Sequence, residues 1–160
     1  METSTRIFLN RWFLSMLFIG ALALTCSLLA VHVFHLKPCV LCKLQRIPFA
    51  LLIANAALGL IGLSKEGFFK MTQACLALGA LLGIIHFLMQ MGTLPDFCTA
   101  HRDFDTPEEF LKVLQTSKCS DVAWAIFGVP VSLLNTMIHG SIFWVSIRLK
   151  GKRKLIRGTS

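Results

Sequence analysis

The chain has 160 residues, of which 55% are hydrophobic and 15% charged, and its formal net charge is +8. This composition fits a single domain and excludes an ordinary soluble globular protein, in which about a quarter of the residues are charged. The charged residues are also clustered, leaving four uncharged segments of 18 to 26 residues. A bilayer core about 30 Å thick requires about 20 helical residues. Because backbone groups in lipid must be hydrogen-bonded within their own segment, we predict an all-α membrane protein, a four-helix transmembrane bundle.

The predicted elements follow the uncharged segments in chain order and form one integral membrane domain over residues 1–160. Four helices are expected at about 12–35, 43–64, 70–94 and 125–148. Outer loops are expected at about 36–42 and 95–124, and a basic cytoplasmic tail at 149–160. The first segment follows two arginines, as a signal peptide does, but it is long for one and lacks a suitable cleavage site. We therefore expect it to be retained as a helix.

Basic residues predict the orientation of the bundle. They precede the first helix, lie between the second and third, and follow the fourth in the segment RLKGKRKLIR. Six acidic residues fall in the predicted loop 95–124 instead. The positive-inside rule then predicts cytoplasmic termini and two loops on the outer face. The basic tail fits contact with anionic lipid of the bilayer, and it lacks the interleaved aromatic residues typical of nucleic-acid binding.

The long outer loop contains a helix signal of its own. The sequence Thr106-Pro107-Glu108-Glu109 is a capping box with proline at the first helical position. Apolar residues then recur on one side, which predicts a short amphipathic helix lying on the outer membrane face. A loop helix packed on the bundle is the alternative. Further along, Pro130 is expected in the first turns of the fourth helix, where proline costs little.

Four of the six cysteines fall on the predicted outer side, where disulfides persist. These are Cys39, Cys42, Cys98 and Cys119, whereas Cys26 and Cys75 lie within predicted helices. Two structural disulfides would explain the second pair, which closes a long loop, but a pair at a spacing of two residues closes almost no loop. A zinc site usually takes a second tight pair. A redox function fits the tight pair best, because Cys-x-x-Cys motifs exchange readily.

Arg46 supports the redox interpretation. If the second helix begins near Pro38, then Cys39, Cys42 and Arg46 lie on one helical face. An arginine inside a membrane helix is costly and calls for a partner or a function. Its guanidinium could stabilise a nearby thiolate or bind a ligand carbonyl oxygen. The alternative is an interfacial arginine that extends to lipid phosphate.

The motif CVLCKLQR, the second outer loop with two more cysteines and the four predicted helices resemble the DsbB family of bacterial disulfide-bond-formation proteins. The resemblance covers nearly the whole chain. It implies a protein that reoxidises a periplasmic, thioredoxin-like dithiol oxidase (DsbA-like) and passes the electrons to ubiquinone or menaquinone in the bacterial inner membrane. The sequence contains no dinucleotide or haem motif, and an acceptor dissolved in the bilayer requires none.

The resemblance also implies a role for each candidate residue. Cys98 would form the mixed disulfide with the partner, and Cys119 would be its mate in the resting loop disulfide. Cys39 would exchange with Cys119, and Cys42 would face the quinone. Arg46 would lie beside the quinone oxygen and His86 near the quinone. Three alternatives stay open at this point: a quinol-linked disulfide reductase, a non-catalytic protein with structural disulfides, and a zinc-binding membrane protein.

Overall fold

The computed structural model describes residues 2–62, 64–98, 118–122 and 124–158, with side chains from residue 5 to residue 151 of these ranges. The elements in chain order are α1 (Glu2–His32), α2 (Val40–Leu44), α3 (Arg46–Ile61), α4 (Lys65–Gln90), β1 (Ala125–Ile126), β2 (Val129–Pro130) and α5 (Val131–Gly158). α2 and α3 form one continuous apolar segment interrupted at Gln45. The predicted four-helix bundle is therefore confirmed, with its second helix in two pieces.

Helices that follow one another in the chain pack side by side. α1 packs along α3, α3 along α4, and α4 along α5. One core cluster joins the first three of these helices through Leu9, Trp12, Phe13 and Met16 of α1, Ala56 of α3 and Phe69 of α4. Large apolar side chains such as Phe18, Leu58 and Ile147 point outward instead. Such an exposed apolar surface suits a lipid environment and would be costly in water.

Three segments of the described chain are long and apolar enough to cross a membrane: Thr5–His32, Val40–Ile61 and Lys65–Gln90. The shortest has 22 residues, which at a rise of about 1.5 Å per residue spans about 33 Å. α5 is 28 residues long but less apolar. Two features account for this: its C-terminal part contains six basic residues, and it buries polar side chains, among them Ser132, Asn135, His139 and Ser146.

Small residues allow α4 and α5 to approach each other closely. Gly79 of α4 faces the ring of His139, and Gly83 faces Thr136, so that a side chain at either glycine would collide with α5. Close backbone approach at small residues is a common way for membrane helices to associate. The contacts of Gly79 and Gly83 therefore determine how closely α5 packs against α4 and which of its residues face α4.

The helix boundaries differ from the predicted ones in a consistent way. α1 begins at Glu2, well before the predicted residue 12, and α4 begins at Lys65, before the predicted residue 70. Charged residues limit the part of a helix that lies in lipid, but they do not stop the helix itself. The second helix begins early, at Val40, and is broken at Gln45 because Pro48 has no N–H to donate to the carbonyl of Leu44.

The prediction that the fourth helix begins near residue 125 is wrong. Residues 125–130 form a small antiparallel hairpin, in which Ala125 pairs with Pro130 and Ile126 with Val129. Its two-residue turn, Phe127-Gly128, has positive φ at both positions, 51° and 81°, as in a type I′ turn. Pro130 is thus the last strand residue rather than part of the helix, which begins at Val131. The predicted amphipathic helix at Thr106 lies outside the described residues.

Candidate redox site

Cys39 and Cys42 form a disulfide at the start of α2, with their Cα atoms 5.1 Å apart. Cys39 is the N-cap of this helix, and its Sγ accepts a hydrogen bond from the Cys42 backbone N–H over 3.1 Å. The N-cap position explains the spacing, because the residue three positions later is the one whose N–H reaches back to the cap. Cys39 is buried, whereas Cys42 is half-buried.

Cys98 and Cys119 form the second disulfide, with their Cα atoms 5.9 Å apart. The carboxylate of Asp96 accepts backbone hydrogen bonds from Cys98 over 2.9 Å and from Ser120 over 3.1 Å. Desolvation by burial acts to raise the pKa of Asp96, but these backbone hydrogen bonds outweigh it and hold the pKa below its ordinary value. Asp96 therefore anchors both ends of the disulfide as a carboxylate.

The two disulfides meet in one buried cluster. Cys39 and Cys119 lie in it with Leu41 and Met89, and Cys42 and Cys98 pack against it. Cys119 is fully buried, whereas Cys98 is half-buried. Thiol–disulfide exchange requires contact between sulfur atoms. The half-buried Cys98 lies at the outer side of the cluster and the buried Cys39 at its inner side, so the sulfur atoms lead from the outer loop towards the bundle.

His86 of α4 lies beneath this cluster and contacts both cysteine pairs. Its Nε2 is 3.6 Å from Cys39 Sγ, and the backbone of Cys119 lies near the same ring. On the other side of the ring, Nδ1 is 3.2 Å from Nε2 of Gln45. Gln45 also donates to the Leu82 carbonyl over 3.3 Å. Both side chains are buried, with 3% of His86 and 8% of Gln45 exposed.

An apolar cavity of 240 Å³ opens beside Cys42, between α1, α3 and α5. Apolar side chains from the three helices supply most of its wall, and His86 and Gln90 of α4 also line it. Arg46 lines it too and is half-buried, with its Nε donating to Ser27 Oγ over 3.0 Å. This position disfavours the alternative in which Arg46 extends to lipid phosphate.

Asn135 of α5 supplies a further polar group at the cavity wall. It is 6% exposed, and neither its Nδ2 nor its Oδ1 has a hydrogen-bond partner among the described residues. Buried amides are nearly always hydrogen-bonded, so an unpartnered amide in a residue that lines the cavity is unusual. Asn135 was not among the residues predicted from the sequence. The signal was present, since an asparagine inside a long uncharged segment is costly in a membrane.

A family model, Disulfide bond formation protein DsbB, matches residues 9–148. The chain belongs to the DsbB family. A comparison with curated proteins finds no match. The DsbB match covers every candidate residue, and it carries the general function of a thiol oxidoreductase family, the enzymatic generation of disulfides. The long apolar helices also make the chain a multi-pass membrane protein by composition.

The geometry brings the sequence-predicted residues of this DsbB-family chain into one region. Cys42, Arg46 and His86 line the cavity, and the other three candidate cysteines lie in or against the cluster above it. Of the two remaining cysteines, Cys26 also lines the cavity, whereas Cys75 is buried in a separate core cluster. Besides Asn135, the partner of Arg46, Ser27, was not identified from sequence, and Gln45 had been assigned no role.

Two groups of potential metal ligands coincide with the disulfides. Ligand atoms of Cys39, Cys42 and His86 lie within 4.8 Å of one another, as do those of Asp96, Cys98 and Cys119. Zinc binds the thiolate form of cysteine. In the DsbB-family chain these sulfurs are bonded to each other. The sulfur pairing therefore favours redox or structural disulfides over a four-cysteine zinc site.

Proposed function

We propose that the chain is a membrane thiol:quinone oxidoreductase that reoxidises a periplasmic, DsbA-like thioredoxin-fold protein and passes the electrons to a membrane quinone. One observation carries this proposal: the Cys39–Cys42 disulfide lies between a second disulfide and an apolar cavity within the bundle. A structural disulfide requires neither neighbour. A thiol oxidase needs both, one to receive electrons and one to hold their acceptor.

The cavity fits the head group of a quinone. A quinone has a flat apolar ring with carbonyl oxygens on opposite edges, and it accepts two electrons. The cavity wall is mainly apolar, and it carries the guanidinium of Arg46 and the unpartnered amide of Asn135. Both groups can donate to a carbonyl oxygen. A volume of 240 Å³ is below the usual range for drug-sized ligands, which suits one ring system of ubiquinone or menaquinone with its tail left in lipid.

The cysteines then act in sequence. A thiolate of the partner attacks Cys98 Sγ, which breaks the loop disulfide and releases Cys119 as a thiolate. Cys119 attacks Cys39 Sγ and releases Cys42 as a thiolate at the cavity wall. Each step forms one disulfide and breaks another, so the electron pair moves inward without a change in the total number of disulfides. The half-buried Cys98 and the buried Cys119 support this order.

The proposed location is the bacterial inner membrane, with both termini cytoplasmic and the redox cysteines on the periplasmic side. The distribution of basic residues supports this orientation. A quinol-linked reductase would use the same residues in the opposite direction, because the net direction follows the potentials of the partners. A non-catalytic protein with structural disulfides would leave the cavity and the partly buried Arg46 without a purpose.

The deciding experiment measures quinone reduction by the purified protein after addition of a reduced thioredoxin-like dithiol protein. Wild type and Cys75→Ser should turn over, because Cys75 lies in a separate core cluster. Cys42→Ser should not. Turnover that survives in Cys42→Ser would overturn the proposed electron route. Absence of turnover in the wild type, with both disulfides resistant to mild reductants, would favour structural disulfides. Quinol-driven reduction of the partner's disulfide would indicate the reductase.

A further inference from the structure

The buried amide of Gln45 holds the His86 ring in a defined orientation. Its Nε2 lies 3.3 Å from the carbonyl oxygen of Leu82 and 3.2 Å from Nδ1 of His86. A peptide carbonyl accepts hydrogen bonds and cannot donate, so the amide nitrogen rather than the amide oxygen must face Leu82. The backbone of α4 therefore decides which way the Gln45 amide is turned.

This orientation determines the tautomer of His86. The amide nitrogen of Gln45 can only donate hydrogen bonds, so Nδ1 of His86 must accept one with its lone pair. A ring protonated on Nδ1 would place two N–H groups against each other. A neutral imidazole carries its single proton on one nitrogen, which must then be Nε2. Gln45 thus acts on Nδ1, the ring nitrogen that does not approach Cys39.

The protonated nitrogen faces Cys39. Nε2 lies 3.6 Å from Cys39 Sγ, and a disulfide sulfur has no hydrogen to donate, so the contact is an N–H pointing at sulfur. We propose that Gln45 is a positioning residue that fixes the Nε2–H tautomer of His86 so that His86 donates to the sulfur of Cys39. The inference rests on the proposed function in one respect, namely that Cys39 takes part in exchange.

The hydrogen bond from His86 Nε2–H stabilises Cys39 at the step in which Cys39 is released as a thiolate. In the proposed sequence Cys39 is joined to Cys119 after the inward transfer. The second thiolate of the partner displaces Cys98 from the mixed disulfide, which oxidises the partner and releases Cys98 as a thiolate. Attack of this Cys98 thiolate on Cys119 Sγ re-forms the loop disulfide and releases Cys39 with the electron pair of the broken S–S bond. The Nε2–H of His86 stabilises this leaving thiolate without transferring its proton. Charge-assisted hydrogen bonds of this kind are about twice as strong as neutral ones.

Other charged and titratable groups around Cys39 come from two segments. Cys42 lies on the same segment as Cys39, and Cys98 and Cys119 approach from the second loop. From that loop, the backbone of Cys119 and the negative charge of Asp96 also act on the His86 ring. These groups are the same in every variant compared below. A change in the reactivity of Cys39 that occurs only when Gln45 is replaced is therefore due to the contact between His86 and Cys39.

The first test measures the alkylation rate of Cys39 in fully reduced Cys42→Ser protein across a pH series, by peptide mass spectrometry. Replacing Gln45 with methionine keeps the length of the side chain and removes the donor. We expect the rate at neutral pH to fall about tenfold, the effect of losing a hydrogen bond to a charged group. The control is Gln73→Met, which removes a comparable bond to Ser146 Oγ of 3.0 Å elsewhere in the bundle. Equal rates in the Gln45 and control variants would overturn the proposal.

The second test observes the unaltered protein and does not depend on how the Gln45 variant folds. Nitrogen NMR of the oxidised protein with labelled histidine reports the tautomer of each ring, and His86→Asn identifies the His86 signals. We expect protonated Nε2 and unprotonated Nδ1 at neutral pH, and the reverse would exclude the proposed orientation. Neither test uses a quinone. A protein that passes both and reduces no quinone would contradict the proposed function and leave the His86–Cys39 contact established.

Discussion

Arg46 of α3 is held by Ser27 of α1. Its Nε donates to the Ser27 hydroxyl oxygen over 3.0 Å, and its Nη2 donates to the Ser27 carbonyl over 3.4 Å. A guanidinium has five N–H groups in a fixed plane, so two bonds to one residue orient the whole group and leave further donors for a ligand. The contact explains how a charged side chain is tolerated within an apolar segment and how it is presented to the cavity.

Replacing Arg46 with alanine should weaken quinone use and leave both disulfides intact. The lost donor is charged, so we expect the KM for quinone to rise about tenfold or more. The measurement is steady-state quinone reduction, with thiol counting to confirm the disulfides. Arg148→Ala is the matched control, because Arg148 lies over the Trp144 ring, 4.7 Å from its centroid, and does not line the cavity. Unchanged quinone kinetics in Arg46→Ala would refute the role of Arg46.

Asn135→Leu should weaken quinone binding without destabilising the protein. Because the buried amide has no partner among the described residues, its removal should leave the free energy of unfolding unchanged or raise it by about 1 kcal/mol. The KM for quinone should rise several-fold, because a donor to the carbonyl oxygen is lost.

The comparison for Asn135 is Asn55→Leu. Asn55 Nδ2 donates to the Phe68 carbonyl over 2.9 Å and to Thr72 Oγ1 over 2.7 Å. Losing these bonds should destabilise the bundle by about 1–3 kcal/mol and leave the KM unchanged. If Asn135→Leu destabilised the protein as much as Asn55→Leu and left the KM unchanged, the amide would be structural.

Asp96→Asn should make the Cys98–Cys119 disulfide easier to reduce, because an amide has one acceptor oxygen where the carboxylate offers two. We expect a several-fold faster reduction by a small thiol, followed by thiol trapping. Asp121→Asn serves as the control, since the Asp121 side chain is exposed in the same loop. An equal rate in both variants would show that Asp96 does not anchor the disulfide.

The contribution of Asp96 should also depend on pH. Its pKa in the folded protein lies below the ordinary value of 3.8. The stabilisation is therefore present above pH 3.8 and is lost only as the pH falls through the lower pKa of the folded state. With a phosphine as reductant, which unlike a thiol does not need to be a thiolate, the reduction rates of wild type and Asp96→Asn should differ near neutral pH and converge in strong acid. A difference that persisted in strong acid would indicate a role other than charge.

Cys98→Ser should prevent exchange with the partner, because Cys98 is the more exposed sulfur of the loop pair. Trapping with a thioredoxin-like protein whose second active-site cysteine is replaced should yield a mixed disulfide in the wild type and none in Cys98→Ser. Cys26→Ser and Cys75→Ser should both form it, since neither residue belongs to a disulfide. A mixed disulfide in Cys98→Ser would assign the attack to another sulfur.

Much of the fold could be predicted from the distribution of charge. The uncharged segments predicted four helices because a bilayer excludes charge over a known thickness, and the helices are present in the structure. The ends of the helices could not be predicted in this way, since α1 and α4 extend past their charged residues. The hairpin at residues 125–130 was missed because its apolar residues continue the pattern of the helix that follows.

The candidate site, too, could be predicted only in part from the sequence. The sequence by itself pointed to the four outer cysteines and Arg46, because their residue types and spacing are unusual in an apolar chain, and its resemblance to the DsbB family added His86. Only the tertiary structure decided that Arg46 is bound by Ser27, that Gln45 orients His86 towards Cys39, and that Asn135 faces the cavity. The hydrogen-bonded residues are 19 or more positions apart in the chain, and the cavity is lined by several different helices. Spacing along one helix cannot reveal them, because they depend on how neighbouring helices rotate and pack against each other.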